Sequence, residues 1–289
     1  MGLIRKFILN KEGDNMKILI WNMNYWQNTK EDLDKVITWK NNCIDYLKNV
    51  ENIDFYILQE INPFRLFEIS PNQYFISMTD YNILYNELKR ELSFDGRKDK
   101  FWGNAIIFNK SFTVEKNNMG TNKKDYYGKN AIMCYDFKTP DGKLITIINV
   151  YNKKNYEKNG AYTLIDDLKK DDDIKNVIER KDRHIILAGD FNTFAKNNNG
   201  RLKDLEKEMK PLINCTTCTK DSLFHEEGTY YHSKKDGYVI DDFCFISESL
   251  KDKSINIDIP IKDWKNFLDK NHSWNGLSDH CPIIVDFTL

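Results

Sequence analysis

Short apolar runs separated by polar segments are the feature that most limits how this chain can fold. Eight runs are rich in branched and aromatic residues, a composition that favours β-strands. They are Lys17–Asn22, Phe55–Gln59, Ala105–Phe108, Ala131–Phe137, Leu144–Tyr151, His184–Ala188, Tyr238–Ile246 and Pro282–Phe287. Helical periodicity occurs between some of them, in stretches 33–47, 164–178 and 202–212. Because several runs are apolar on both faces, the sequence predicts sheets covered on both sides, with helices outside.

Length and hydropathy indicate one large soluble domain. The 289 residues suit a single α/β domain, which we place at 16–289, after an N-terminal extension at 1–15. No apolar run approaches the ~18 residues of a membrane span, and the extension lacks the apolar core of a secretion signal. The six cysteines lie mostly in apolar runs, which is typical of a reducing compartment. We therefore expect a cytoplasmic protein with no membrane contact and no obligate protein partner.

Charge and cysteine spacing exclude little else. With 43 basic and 44 acidic side chains, the formal net charge is -1, which argues against tight non-specific DNA binding but not against a nucleic-acid substrate. Cys215 and Cys218 form a single CxxC pair, and only His225 is close to it. A zinc site would need a second pair, so we interpret these residues as ordinary thiols.

Polar side chains follow the apolar runs at once, and this is where we expect the chemistry. They are Asn22 and Asn24, Glu60, Tyr151, Asp190 and Asn192, and Asp279 and His280. Ligand sites in α/β folds lie at the ends of strands, so these side chains are candidates for one shared site. Taken one at a time, each has a simpler interpretation, such as a turn, a cap or a surface group.

Strand periodicity adds geometry to these candidates. Residues two apart in a strand point the same way, so Asp190 and Asn192 should share a side, with Phe191 turned into the core. Asp241 lies within an apolar strand, where burying a carboxylate costs several kcal/mol unless it is paired. His280 is its natural partner, and alternation should turn Asp242 away from the site.

The chemistry that uses such a set is phosphoester hydrolysis with a divalent metal ion. Mg²⁺ takes oxygen ligands and suits one or two carboxylates together with a substrate phosphate. Hydrolysis also needs an aligned water, a base beside it and donors for the oxyanion charge. Asp190 and Asn192 offer a base and a donor, and His280 offers an oriented donor to phosphate.

Five sequence blocks in order resemble the endonuclease/exonuclease/phosphatase superfamily, which has the DNase I-like fold. The blocks are Trp21-Asn22-Met23-Asn24, Leu58-Gln59-Glu60, Asn149-Val150-Tyr151, Gly189-Asp190-Phe191-Asn192 with Ile240-Asp241, and Ser278-Asp279-His280. The resemblance covers residues 16–289. It implies a four-layer α-β-β-α sandwich, with two packed mixed β-sheets flanked by helices, and a metal-dependent phosphoesterase.

The resemblance also implies residue roles around the metal. Glu60 would be the principal ligand of Mg²⁺, with Mn²⁺ as a substitute, and Asn24 and Asp279 would add metal contacts directly or through water. Many nuclease members have Asp at the position of Asn24, which would weaken a second metal contact here.

The remaining implied roles concern water and phosphate. Asp190 would orient or deprotonate the attacking water, while Asn22 and Asn192 would hold Asp190 and the scissile phosphate. The other implied phosphate contacts are Tyr151 and His280, with Asp241 fixing the orientation of His280. Family members often have Tyr or His after the Asp of the Ile-Asp motif, and here that position is Asp242.

Three loops beside these blocks mix cations with aromatic residues, namely 94–104, 151–156 and 230–235. Such mixtures suit backbone phosphates and stacked bases, so we predict a nuclease, with DNA ahead of RNA as substrate. The near-neutral charge leaves open a phosphodiesterase or phosphatase acting on a small nucleotide, an inositol phosphate or a lipid head group. A binding module without catalysis is a third alternative, which the intact acidic set disfavours.

Overall fold

The structure is a computed structural model that describes part of the chain. The described residues are 15–23, 45–47, 49–61, 80–89, 101–118, 131–152, 154–155, 161–162, 172–195, 200–216, 229–232, 237–251, 253–260, 278 and 280–289. The proposed extension at 1–15 falls outside them except for its last residue, with which the first strand begins. In the described part of the chain, no helix has the length and apolar character needed to cross a membrane.

Strands make up most of the described residues. They are β1 (Asn15–Asn22), β2 (Phe55–Ile61), β3 (Tyr81–Lys89), β4 (Phe101–Asn109), β5 (Thr113–Asn117), β6 (Ala131–Lys138), β7 (Leu144–Tyr151), β8 (Lys154–Asn155), β9 (Ala161–Tyr162), β10 (His184–Ala195), β11 (Ile213–Asn214), β12 (Tyr230–His232), β13 (Gly237–Ile246), β14 (Ile255–Asp258) and β15 (Ile283–Thr288). In the described part of the chain, the helices are α1 (Asp172–Ile178), α2 (Gly200–Glu208) and a 3-10 turn at Glu248–Leu250, and residues 45–47 and 49 are also helical.

The strands form two mixed sheets. The first has the order β14-β15-β1-β2-β4-β3, with β1 and β2 parallel and the other neighbours antiparallel. The second has the order β11-β13-β10-β7-β6-β5, with β7 and β10 parallel and β12 added to β13. Strands β8 and β9 form a small separate ribbon. Each large sheet therefore has its one parallel pair in the middle, where both faces are covered.

The two sheets pack face to face. In β1, Ile18 and Ile20 belong to the core between the sheets, whereas Leu19 and Trp21 belong to a second cluster on the other face. Across the interface, the rings of Phe55 and Phe137 meet edge to face with centroids 5.0 Å apart. Apolar residues of α1 and α2 pack against the same core. Two packed mixed sheets with helices against them agree with the predicted architecture.

All eight predicted strand runs are strands, but the prediction for β10 ended too early. The strand continues past Ala188 to Ala195, and its register with β13 shifts between Asp190 and Ala195. Strands β3, β5, β8, β9, β11, β12 and β14 were not predicted. Among them, β3 and β5 each form one edge of a large sheet, and β5 is exposed throughout, so its sequence lacks the apolar pattern of the inner strands.

Candidate active site

The polar ends of central strands from both sheets meet in one buried cluster. The side chain of Asn22, at the end of β1, places Nδ2 2.7 Å from Oδ2 of Asp190 in β10. The same Nδ2 lies 3.4 Å from Oε1 of Glu60 in β2. One amide therefore donates to both predicted carboxylates, and it joins the first sheet to the second.

Glu60 reaches this cluster because its backbone leaves the extended conformation. Its φ is 50°, in the left-handed region, and the register of β2 with β4 shifts between Leu58 and Ile61. The neighbouring Gln59 keeps the strand direction and donates through Nε2 to Oδ1 of Asn149 in the other sheet, at 2.8 Å. A left-handed backbone is uncommon for a residue other than glycine, and such residues concentrate at functional sites.

Gly189 determines how closely β10 approaches β7 just before Asp190. Its φ is 139°, and a Cβ atom at this position would lie 2.0 Å from the carbonyl oxygen of Val150. Only glycine has no Cβ atom and adopts this conformation without strain. The Gly-Asp sequence is therefore needed to place Asp190 at the junction of the two sheets.

The carboxylate of Asp190 is buried, with 1% of the residue exposed, and it accepts three hydrogen bonds. Besides Asn22, it accepts from the backbone N–H of Asn192 at 2.7 Å and from Nδ2 of Asn192 at 2.9 Å. Burial raises the pKa of Asp190 well above its ordinary value; charged His280 opposes the rise, and the nearby carboxylates add to it. Asn192, like Glu60, has a left-handed backbone, with φ of 48°.

The residues around Asp190 hold its backbone as well. Phe191 is fully buried and its ring meets that of Phe243 edge to face at 5.7 Å, which confirms that it turns into the core. Strand periodicity gives no reason to single out Asn152. Its backbone N–H nevertheless donates to the backbone carbonyl oxygen of Asp190, and its Nδ2 donates to that of Phe191, both at 2.8 Å. Tyr151 is buried and lies beside Asp190 in the parallel β7–β10 pairing.

The predicted pairing of His280 with Asp241 is wrong. Nδ1 of His280 lies 2.8 Å from Oδ2 of Asp242, and both residues are buried. The reason is the register of β13 on β10, which sets Asp242 directly opposite Asp190, and directly opposed residues share a face of the sheet. Alternation separates Asp241 from Asp242 correctly, but only the register shows that Asp242 is the one beside Asp190.

The backbone of His280 is fixed at both ends. Its N–H donates to Oγ of Ser278 at 3.1 Å, and its carbonyl oxygen accepts from Nε1 of Trp21 at 2.8 Å. The Ser278 hydroxyl in turn donates to the carbonyl oxygen of Asn22 at 2.5 Å. The segment before β15 is therefore tied to the end of β1, which brings His280 to the same cluster.

The acidic character of the cluster fits a divalent cation. Four carboxylates, those of Glu60, Asp190, Asp241 and Asp242, are each no more than 4% exposed, and His280 is the one histidine beside them in the described part of the chain. Carboxylate oxygens are the ligands that Mg²⁺ prefers, and a bound cation would offset the cost of burying so much negative charge.

A second group of possible metal ligands does not include Glu60 and consists of Asp190, Asp242 and His280. Ligand atoms of Asp190, Asp242 and His280 lie within 4.8 Å of one another. However, the atoms of His280 and Asp242 are already joined by a hydrogen bond, and His nitrogen is a poor ligand for Mg²⁺. The predicted metal contacts Asn24 and Asp279 lie outside the described residues.

Some sequence interpretations stay predictions. Cys215 is buried, and its thiol donates to the carbonyl oxygen of Cys244 at 3.2 Å, whereas Cys218 is outside the described residues. Of the three basic and aromatic loops, the structure describes residues 101–104, 151–152, 154–155 and 230–232, and the others lie outside the described residues.

Comparison with known proteins adds a family match and a fold. A family model described as "Endonuclease-reverse transcriptase" matches residues 145–284, a stretch that contains Asp190, Asp242 and His280. A search of curated protein sequences finds no significant match.

Three solved structures have the same fold over nearly the whole chain. Humanized D. rerio TDP2 is 12% identical, with a TM-score of 0.61, over 96% of this chain and 100% of that one. An endonuclease/exonuclease/phosphatase from Bacteroides vulgatus is 15% identical, with a TM-score of 0.63, over 95% and 99%. A mannosyl-6-phosphatase from Bacteroides thetaiotaomicron is 14% identical, with a TM-score of 0.61, over 95% and 100%. These likenesses confirm the DNase I-like fold.

Proposed function

We propose that this chain, which has the DNase I-like fold and matches the family model over residues 145–284, hydrolyses phosphoesters with a divalent metal ion and acts as a nuclease. The observation that carries the proposal is the bridge made by Asn22, whose amide donates to Glu60 and Asp190 at the junction of the two sheets. Two buried carboxylates held beside each other repel and destabilise the fold, so a purely structural role does not explain why both are present.

Glu60 is the residue we propose as the principal ligand of Mg²⁺, with Mn²⁺ as a substitute and Asn24 and Asp279 as further contacts. A bound ion would supply positive charge that polarises the phosphoester and offsets the charge that develops on it. Asn22 would help to orient Glu60 for the metal through its contact with Oε1.

Asp190 is the proposed base. Its three hydrogen bonds fix the carboxylate, and its raised pKa, caused first by burial, makes it better able to take a proton from water. The proton passes from the attacking water to a carboxylate oxygen of Asp190. Asn192 and Asn22 keep the carboxylate oriented and, as proposed, also contact the scissile phosphate.

His280 and Asp242 are proposed to act on the phosphate as a pair. Asp242 accepts a hydrogen bond from the Nδ1–H group, which fixes the ring and favours its charged form, and Nε2 would donate to a non-bridging oxygen of the phosphate. Asp242 thus replaces Asp241 in the role expected from the sequence. Tyr151, beside Asp190 in the sheet, is proposed as a second donor to phosphate.

A nucleic-acid substrate is supported by the description of the matching family model, which names an endonuclease and covers this half of the site. We place DNA ahead of RNA, as the sequence predicts. A second candidate is a phosphatase or phosphodiesterase for a small nucleotide, sugar or inositol phosphate, or a lipid head group. It is supported by the mannosyl-6-phosphatase, which has the same fold.

A substrate panel tests the proposal. The protein is incubated with plasmid DNA, single-stranded DNA, RNA and a set of phosphomonoesters and small diesters, in Mg²⁺, Mn²⁺ or EDTA. We expect cleavage that EDTA abolishes and that falls by roughly 10²- to 10⁴-fold in Asp190→Asn, since general-base catalysis contributes about that factor. Glu60→Gln should raise the metal concentration that is needed for half-maximal activity.

Asp136→Asn is the matched control. Asp136 is also a buried carboxylate, but it lies in β6, outside the cluster, where Thr146 and Arg183 hold it. It should keep its activity at a temperature where it is folded. Release of phosphate without cleavage of nucleic acid would favour the second candidate. If no substrate in the panel turned over in either metal, the proposal would be wrong.

A further inference from the structure

Thr229 contacts both sides of the His280–Asp242 pair although it belongs to neither. This fully buried residue directly precedes β12. Its Oγ1 accepts the backbone N–H groups of Asp241 and Asp242, each at 3.1 Å. Its carbonyl oxygen accepts the backbone N–H of Cys281 at 2.7 Å. One residue therefore joins the strand that carries Asp242 to the segment that carries His280.

The contacts of Thr229 lie where regular sheet pairing is interrupted. The β10–β13 register pairs Asp190 with Asp242 and then Ala195 with Ile240, so the ladder is irregular around Asp241. Buried N–H groups need a hydrogen-bond acceptor, and a threonine hydroxyl oxygen has two lone pairs to offer. The Thr229 hydroxyl oxygen therefore accepts two consecutive N–H groups of β13 beside the register shift between β13 and β10.

The hydrogen bond between His280 and Asp242 depends on the separation and angle of its two partners. Nδ1 and Oδ2 are 2.8 Å apart, and a hydrogen bond weakens steeply when its angle or length departs from the favoured range. The backbone N–H of Asp242 donates a hydrogen bond to the Thr229 hydroxyl oxygen, and the backbone N–H of Cys281, the residue after His280, donates one to the Thr229 carbonyl oxygen. A change at Thr229 would therefore move one partner relative to the other.

We propose that Thr229 is a positioning residue that sets the separation and angle of the His280–Asp242 pair. It touches no reacting atom and acts only through these backbone contacts. The consequence for activity rests on the proposed phosphoesterase function, whereas the geometric claim does not depend on it. The two can therefore be tested separately.

The geometric test is proton NMR of the His280 ring. A ring N–H bonded to a carboxylate resonates far downfield, and burial slows its exchange with water. The signal is assigned by its loss in His280→Gln. We expect the wild-type signal in Thr229→Ser, which keeps the hydroxyl, and an upfield shift or loss in Thr229→Val, which keeps the shape without the acceptor. Thr229→Ala serves the same purpose if the valine variant does not fold.

Thr146→Val is the matched control. Thr146 is equally buried and donates to Asp136 at 2.6 Å, but it lies in β7, five residues before Tyr151 and thus about 16 Å along the strand. Its His280 signal should match the wild type. An unchanged signal in Thr229→Val or Thr229→Ala would overturn the proposal, and so would loss of the signal in Thr229→Ser.

The kinetic test is a double-mutant cycle on whichever substrate the panel identifies. Loss of a supporting partner around a site typically costs about 10- to 100-fold, so we expect a drop of that size in kcat for Thr229→Val and near wild-type kcat for Thr229→Ser. In a His280→Gln background, Thr229→Val should cost almost nothing further, because its effect passes through His280. Independent, additive losses would contradict the proposal. If the wild type is inactive while the NMR result holds, only the proposed function fails.

Discussion

Replacing Asp242 with asparagine removes the carboxylate that accepts a hydrogen bond from the Nδ1–H group of His280, where Nδ1 and Oδ2 are 2.8 Å apart. Both residues are almost fully buried, with 1% of Asp242 and 6% of His280 exposed, so water cannot replace the lost acceptor. A hydrogen bond to a charged group contributes about 1.5–3 kcal/mol. At 1.4 kcal/mol per tenfold, the loss corresponds to a decrease of about 10- to 150-fold in kcat.

The matched variant is Asp241→Asn, which alters the neighbouring buried carboxylate but leaves the Nδ1–Oδ2 contact in place. We expect kcat to fall less than tenfold in this variant. The assay measures kcat and KM for both variants at saturating Mg²⁺, together with urea unfolding to confirm that each is folded. A larger loss in Asp241→Asn than in Asp242→Asn would refute the pairing and restore the one expected from strand alternation.

Two further predictions concern stability. Gly189→Ala places a methyl group 2.0 Å from the Val150 carbonyl oxygen, in a backbone with φ of 139°. We expect overpacking and backbone strain together to lower the free energy of unfolding by about 2–6 kcal/mol, measured by urea unfolding. A loss below about 1 kcal/mol would contradict the close approach of β10 to β7. Burial alone would raise the pKa of Asp136, but hydrogen bonds from Thr146 and Asn118 and the nearby arginines outweigh it and lower the pKa below 3.8. A lowered folded-state pKa stabilises the fold above the unfolded value and loses that contribution as the pH falls through the folded value. Asp136→Asn should therefore be less stable than wild type at pH 7, with a gap that narrows below about pH 4; a gap independent of pH would count against the ion-pair assignment.

How far the sequence predicts the fold depends on burial. Strand β7 is predicted with its observed bounds because seven of its eight residues are buried, and its sequence is therefore apolar at most positions. Strand β5 is exposed at all five positions, so its sequence carries no such run and only pairing with β6 makes it a strand. Inner strands can thus be predicted from their own residues, whereas an exposed edge strand depends on pairing with a neighbouring strand.

The site divides in the same way. Glu60 and Asp190 could be found because each follows an apolar run directly. The left-handed backbone of Glu60 could not, since it depends on a register shift against β4, a strand more than forty residues away. The choice of Asp242 over Asp241 depends on the register of β13 on β10, and Thr229 gives no signal beyond a common turn residue.

Asn22 explains why these separate features form one site. The residue ends β1 of the first sheet, yet its side chain donates to Asp190 of the second at 2.7 Å, and its carbonyl oxygen accepts a hydrogen bond from Ser278, close to His280. Asn22 therefore helps to position the proposed metal ligand, the proposed base and the proposed phosphate donor. Because Glu60 is attached to one sheet and Asp190 to the other, their separation is set by how the two sheets pack. Substitutions in the apolar core between the sheets should accordingly affect catalysis through this junction, without contacting the substrate.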